Sequence, residues 1–270
     1  MLNLGKVFFL GAGKMATALA GGLVRQGYPA EDIAAYDVLP VAAKAFTAKT
    51  GIGARTQGVL EAARAADVIL TAVKPQYLAE ALKPLAEGVL KDKLIISIVA
   101  GVPIAALTEL TGATRIIRVM PNTPALIGKG AAAYALSPAA SEEDAATAEA
   151  ILGAVGYFCR LPEKLIDAVT GLSGSGPAYV FDFIQALSDG GVRSGLPRTE
   201  ATRLAAMTVM GAAAMVIETG EHPAVLRDQV TSPGGTTIAG LAVLERGGFR
   251  AAAADAVVAA ADRSTELGIR

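Results

Sequence analysis

Residues 229–245 read Gln-Val-Thr-Ser-Pro-Gly-Gly-Thr-Thr-Ile-Ala-Gly-Leu-Ala-Val-Leu-Glu, a hydroxyl-rich, glycine-broken turn that runs straight into an apolar helical pattern. Gly234 and Gly235 remove the side chains that would block close approach. Ser232, Thr236 and Thr237 set hydroxyls beside the N–H groups that a helix start leaves unpaired. Such a start attracts a small carboxylate or a phosphate without an Arg or Lys, because the free N–H groups and the helix dipole both favour negative charge. The same residues also read as a capped loop whose hydroxyls only satisfy the backbone.

A second chemical site lies near the other end of the chain. Lys6-Val-Phe-Phe-Leu10 reads as a short buried strand, Gly11-Ala12-Gly13-Lys14-Met15-Ala16 follows at once, and residues 16–25 have the spacing of a small-residue helix. In a dinucleotide site the first glycine makes the turn and the second admits the pyrophosphate. The third position, here Ala16, lets the helix pack close to the strand. The next strand, residues 32–36, ends at Asp37, where an acidic residue accepts from ribose hydroxyls and repels a 2′-phosphate. That chemistry favours NADH over NADPH. The alternative role for Asp37 is a turn residue or a cap for the helix beginning near Val41.

The elements that must position these groups follow a βαβ series. Strand-like segments recur at residues 53–55, 68–73, 94–99 and 115–119, separated by helical patterns. Their unbroken apolar runs imply burial on both faces, hence an α/β fold with an N-terminal doubly wound, Rossmann-type parallel sheet. The ligand crevice of such a sheet lies at the strand C-termini, so Gly11, residues 73–75, residues 99–101 and residues 120–124 should converge on the dinucleotide. Asn122 and Thr123 either order that crevice or belong to a rigid turn set by Pro121 and Pro124.

After Arg160 the strands stop, and Ala-, Leu- and Met-rich helical patterns cover about 177–194, 198–219, 235–246 and 249–267, punctuated by Gly195, Pro197, Gly220 and Pro223. The predicted domains are therefore residues 1–160, binding the dinucleotide, and 161–270, an all-helical dimerisation and substrate-binding domain. Residues 204–217 are apolar nearly all round, and a helix of that kind seeks burial on every side, which predicts an intimate homodimer.

Composition excludes other classes. With 270 residues, 53% of them hydrophobic, the chain can build two cores, and a net charge of −1 provides no basic field for nucleic acid. The longest uncharged stretches, such as 94–108 and 229–244, are too interrupted by Gly, Pro, Ser and Thr to span a membrane, and residues 1–6 carry no apolar leader, so no membrane partner and a cytoplasmic location are expected. Cys159 and His222 are each alone, so the sequence predicts no disulfide and no metal site.

Five blocks together resemble the pyrroline-5-carboxylate reductase family. They are Phe9-Leu-Gly-Ala-Gly-Lys-Met-Ala16, Ala72-Val-Lys-Pro75, Arg118-Val-Met-Pro-Asn-Thr-Pro124, Gly171-Leu-Ser-Gly-Ser-Gly-Pro-Ala-Tyr-Val-Phe181 and Leu226-Arg-Asp-Gln-Val-Thr-Ser-Pro-Gly-Gly-Thr-Thr-Ile238. They span essentially the whole chain in order. The resemblance implies hydride transfer from NADPH or NADH to the C=N carbon of a cyclic imine carboxylate, giving L-proline in the last step of proline biosynthesis. It implies a substrate set of Ser232, Gly235, Thr236 and Thr237, with the Thr237 hydroxyl facing the ring nitrogen as the catalytic group. For the cofactor it implies Leu10, Gly11, Ala12, Gly13, Lys14, Met15, Val73, Lys74, Ala100 and Gln229. Lys74 has two possible targets, the nicotinamide ribose or the substrate carboxylate, and a third reading as a solvated strand end. Asp37 departs from the family habit of a small hydroxyl residue that tolerates NADPH. The resemblance also implies homodimers with exchanged helical domains, often in larger rings, with substrate held between two subunits.

Two rival readings have distinct signatures. A β-hydroxyacid dehydrogenase shares the glycine loop but uses a lysine acid/base in the helical half, and this chain has no lysine after Lys164. A non-catalytic nucleotide-binding regulator would be free to lose the Ser-Pro-Gly-Gly-Thr-Thr turn.

Overall fold

The computed structural model describes residues 4–85 and 88–268. Its strands are β1 (Val7–Leu10), β2 (Ile33–Tyr36), β3 (Ala54–Arg55), β4 (Val68–Thr71), β5 (Leu94–Ser97), β6 (Ile116–Met120), β7 (Gly130–Leu136) and β8 (Gly156–Arg160). They form one sheet in the order β3-β2-β1-β4-β5-β6-β7-β8. Strands β1 to β6 are parallel, β7 runs antiparallel to β6, and β8 is parallel to β7.

The sheet is thus mostly parallel, as the apolar runs imply, with β7 and β8 as additions the sequence did not announce. Strand β7 reads Gly-Ala-Ala-Ala-Tyr-Ala-Leu, and Ala and Gly are poor strand signals. The other strands were expected within one or two residues of their observed ends.

The helices that cover this sheet are α1 (Lys14–Arg25), α2 (Pro40–Thr50), α3 (Val59–Ala65), α4 (Leu78–Leu82), α5 (Ile104–Thr111), α6 (Glu142–Gly153) and α7 (Ile166–Val169). One face buries Leu19 and Leu23 of α1, Phe46 of α2 and Ile151 of α6 against Phe9 and Leu70. The other buries Ala63, Leu78 and Leu107 against Phe8, Ile69 and Ile95. Each fully buried Leu, Ile or Phe contributes roughly 1.5–3 kcal/mol, and this double cover keeps the strand ends in fixed register. Helix α1 begins at Lys14, two residues before the position read from the small-residue spacing.

The helical part contains α8 (Gly176–Arg193), α9 (Arg198–Thr219), α10 (Pro223–Gln229), α11 (Thr236–Arg246) and α12 (Phe249–Gly268). Four of these match the expected helices closely, whereas α10 corrects the reading of Pro223 as punctuation. Pro223 is its first residue, where a missing N–H costs nothing, and His222 Nδ1 accepts the Ala224 N–H at 3.2 Å.

The chain divides into two compact units, Met1–Ser175 with Val258–Arg270 and Gly176–Val257. Within the second, the rings of Phe183 and Phe249 stack at 5.4 Å, and Ser188 and Thr202 share a hydrogen bond of 2.8 Å. That unit leaves much apolar surface uncovered: Met207 is 54% exposed, Met210 58% and Ile217 81%.

Helix α9 corrects the expectation that no stretch approaches membrane length. By length and composition it is apolar enough to cross a bilayer, and only 11% of its apolar window is buried. Arg198, Glu200, Arg203 and Glu218 stand toward the two ends of α9 and leave its middle, residues 204–217, free of charge.

Candidate active site

At the first unit's strand ends, the sheet register sets Leu10, Thr71 and Ser97 side by side. The loops that leave these strands are tied together by backbone bonds, Gly11 N–H to Tyr36 O and Ala72 N–H to Leu10 O, both 2.8 Å. Gly11 has φ +108°, and a Cβ there would lie 2.7 Å from the Ala72 carbonyl oxygen, so only glycine lets the chain turn this close to β4. Val73 borders the same spot, its Cγ1 3.1 Å from that hypothetical Cβ.

Gly13 is the N-cap of α1, and no side chain caps the helix there. The first helical bond runs from Thr17 N–H to Gly13 O at 2.9 Å, so the N–H groups of Lys14, Met15 and Ala16 precede the helical ladder. A Cβ on Gly13 would meet nothing within 4 Å. Space and three donors coincide, and this is the fit a pyrophosphate requires.

Asp37 stands at the end of β2, where its Oδ2 accepts the Ala12 N–H and its Oδ1 the Leu39 N–H, both at 2.9 Å. Asp37 therefore has the expected character of a turn residue through Leu39, and in addition it pins the glycine loop through Ala12, a role the sequence did not announce. Lys74 is exposed after β4 and joins no ion pair among the described residues. Ala100 lies in the turn after β5. Asn122 ties the turn after β6 to its neighbours, its Nδ2 donating to Ser173 O at 3.1 Å and its Oδ1 accepting the Ala131 N–H at 2.9 Å. Thr123 opens a short 3-10 turn.

Sequence reading passed over Thr71 and Ser97. Both are fully buried at strand ends, and the Thr71 hydroxyl has no hydrogen-bond partner among the described residues. The available signal was a hydroxyl closing each of two otherwise apolar strands.

In the second unit, Gln229 ends α10 and its amide donates to Glu221 Oε2 at 2.9 Å. Ser232, Gly234 and Gly235 then form the turn into α11, with Gly234 at φ +66° and Gly235 N–H bonded to Ser232 O at 3.1 Å. A Cβ on Gly235 would collide with the Ser232 hydroxyl. Gly235 caps α11 without a side-chain bond, and the first helical bond, Ala239 N–H to Gly235 O, is a long 3.4 Å. The N–H groups of Thr236, Thr237 and Ile238 precede that bond. Thr237 is half-buried and Ser232 exposed. Many helical threonines here bond back to a carbonyl one turn earlier, as Thr208 and Thr219 do. Thr237 makes no such bond among the described residues, so its hydroxyl is free to meet a ligand.

A sheet of this topology with an open helix start beyond its first strand defines a class, the Rossmann-type nicotinamide-dinucleotide oxidoreductases, here with a helical second unit. Residues 163–267 match the family described as pyrroline-5-carboxylate reductase dimerisation, and residues 6–101 match NADP oxidoreductase, coenzyme F420-dependent. A pyrroline-5-carboxylate reductase of Arabidopsis thaliana is 48% identical over 263 residues, 97% of this chain and 95% of that protein. Among solved structures, a pyrroline-5-carboxylate reductase from Coxiella burnetii aligns with TM-score 0.90 at 34% identity, covering 98% of this chain and 99% of the other. The Plasmodium falciparum pyrroline carboxylate reductase, solved with NADP bound, aligns with TM-score 0.88 at 34% identity over 97% and 98%. The chain belongs to the pyrroline-5-carboxylate reductase family.

Proposed function

We infer that this protein reduces 1-pyrroline-5-carboxylate to L-proline with a nicotinamide cofactor, the last step of proline biosynthesis. The observation that carries the reading is the uncapped start of α11, where free N–H groups, the Ser232 hydroxyl and an unbonded Thr237 hydroxyl occur together. A cyclic imine carboxylate needs an anion site and one hydrogen bond at nitrogen, and little else.

In this reading residues 1–160 bind the dinucleotide and 161–270 serve dimerisation and substrate binding. Gly11, Ala12, Gly13, Lys14 and Met15 cradle the pyrophosphate, with Leu10, Val73, Lys74, Ala100 and Gln229 as further cofactor contacts. When bound, the reduced nicotinamide supplies the hydride. The N–H groups of Thr236 and Thr237, with Ser232, hold the substrate carboxylate, aided by the positive end of the helix dipole. Gly235 keeps the floor of that site clear. The Thr237 hydroxyl donates to the ring nitrogen at the point where the new N–H bond forms, and solvent replaces that proton.

Asp37 supports NADH as the preferred cofactor, because a fixed carboxylate at the ribose end repels a 2′-phosphate. The uncovered apolar surface of α9 supports a homodimer, and the family's larger rings are the next assembly to test by light scattering. A small-molecule substrate, no nucleic-acid partner and a cytoplasmic location complete the proposal.

The deciding experiment follows loss of reduced nicotinamide absorbance with pyrroline-5-carboxylate, using NADH and NADPH in turn. Substrate-dependent turnover upholds the reading, and none with either cofactor ends it.

A further inference from the structure

Strand β6 carries one charge, Arg118, amid its own apolar side chains Ile116, Ile117, Val119 and Met120. Arg118 lies on the same sheet face as Ile116, is only 4% exposed, and pairs in register with Ser97, which in turn pairs with Thr71. A buried guanidinium is costly unless its fork is well matched, so its partners must be held accurately. One nitrogen donates to Asp167 Oδ1 at 2.7 Å and another reaches Glu163 Oε1 at 3.5 Å.

Both carboxylates pass the constraint onward. Glu163 Oε1 also accepts the N–H of Ile104, the first residue of α5, at 2.6 Å. Asp167 Oδ1 also accepts the Ser264 hydroxyl of α12 at 2.7 Å. Ser264 is itself 4% exposed, and its carbonyl lies 3.4 Å from where a Cβ on Gly101 would stand, beside Leu267 Cβ at 3.3 Å. In return, a Cβ on Gly268 would come within 2.5 Å of the Gly101 carbonyl. Residues 98–103 link β5 to α5, and the turn within them is therefore held at Gly101 and at Ile104 by groups that answer to one guanidinium.

We propose that Arg118, acting through Glu163, Asp167 and Ser264, is a positioning residue that sets the turn at residues 100–103 for the nicotinamide half of the cofactor. The proposal rests on the reading of Ala100 as a cofactor contact. It assigns Arg118 no contact with substrate or cofactor; its effect is transmitted by the turn.

The test measures binding of NADH by its own fluorescence, which no tryptophan in this chain disturbs, and binding of ADP-ribose by competition. ADP-ribose lacks the nicotinamide, so it reports the rest of the crevice. Ser264→Ala and Asp167→Asn are each expected to weaken NADH about tenfold, since small misplacements of a positioned group cost that much or more. ADP-ribose affinity should stay at the wild-type value, and KM for NADH should rise more than kcat falls. Arg118→Met is the harsher variant, and Arg118→Lys keeps the charge but loses the fork. Should these two fail to fold, Ser264→Ala still decides.

Ala100→Val separates this proposal from the reading beneath it. Weakened NADH in Ala100→Val with wild-type affinity in Ser264→Ala overturns the positioning role alone. Wild-type affinity in both variants overturns both. Equal loss of NADH and ADP-ribose in Ser264→Ala, or a loss there with none in Ala100→Val, shows that the network acts elsewhere and also overturns it.

Discussion

Helix α6 and the pair α1 and α11 begin in opposite ways. Ser141 and Asp144 close the start of α6 on itself, the Ser141 hydroxyl accepting the Asp144 N–H at 3.1 Å and the Asp144 carboxylate accepting the Ser141 N–H at 2.9 Å. Helices α1 and α11 each have a glycine at that position, no side-chain bond and a first turn of unclaimed donors. A cap adds roughly 1 kcal/mol to a helix, and that stabilisation is missing at the two starts proposed to bind anions. The start of α6 spends its first donors on its own cap, whereas α1 and α11 leave theirs for a ligand.

The largest effect should come from the open end of α11. Thr237→Ala is expected to lower kcat about a hundredfold, the usual contribution of a placed proton donor, with dinucleotide affinity unchanged in a fluorescence titration. Equal activity would make Thr237 a plain helix-start residue and break the contrast with α6. At α1, Gly13→Ala places a methyl where nothing lies within 4 Å. The melting temperature should hardly move, while dinucleotide affinity falls about tenfold, some 1.4 kcal/mol. A loss of stability without a loss of affinity would reverse the assignment.

Asp37→Ser should shift the ratio of NADPH to NADH efficiency several-fold toward NADPH, about 1 kcal/mol for one surface charge met at close range. Comparing kcat/KM for the two cofactors measures it. An unmoved ratio would leave Asp37 only its bonds to Ala12 and Leu39.

The closed start gives the smallest change in activity and a clear one in stability. Burial pushes the Asp144 carboxyl upward, but hydrogen bonds from Arg115 and from the Ser141 backbone and hydroxyl outweigh it and hold the group below its ordinary value of 3.8. A depressed carboxylate stabilises the fold above that ordinary value and ceases to do so as pH falls through its own. Asp144→Asn should cost about 1–2 kcal/mol at neutral pH, allowing for the partly exposed Arg115. The deficit against wild type should shrink in denaturation curves taken below the usual carboxylate range, with turnover per folded molecule intact throughout.

The legible parts of this molecule are those where one signal dominates. Strand β1, its glycine turn and α1 were readable because an apolar run, two glycines and a small-residue period coincide within a few residues. Helix α9 was readable from end to end, since Pro197 and Gly220 bracket it. Strand β7 was not, because a run of alanines is bound to the sheet by its neighbours and by Tyr134, which is buried, and not by its own propensity. Helix α10 was hidden by a proline that starts a helix as readily as it stops one.

At the site, residue types and order were visible, but not which groups would be tied. The sequence put Asp37 near a ribose without showing that it also pins Ala12. That Arg118 would be sunk in the sheet had one clue in the sequence, a lone charge in a strand otherwise reading Ile-Ile-x-Val-Met.

The bare flank of α9 has a consequence for how this protein endures heat. A chain whose longest helix hides so little of its apolar surface draws part of its folding free energy from a second copy, so its melting point should climb as the solution is made more concentrated. Dilution alone, without any denaturant, would then be enough to loosen it.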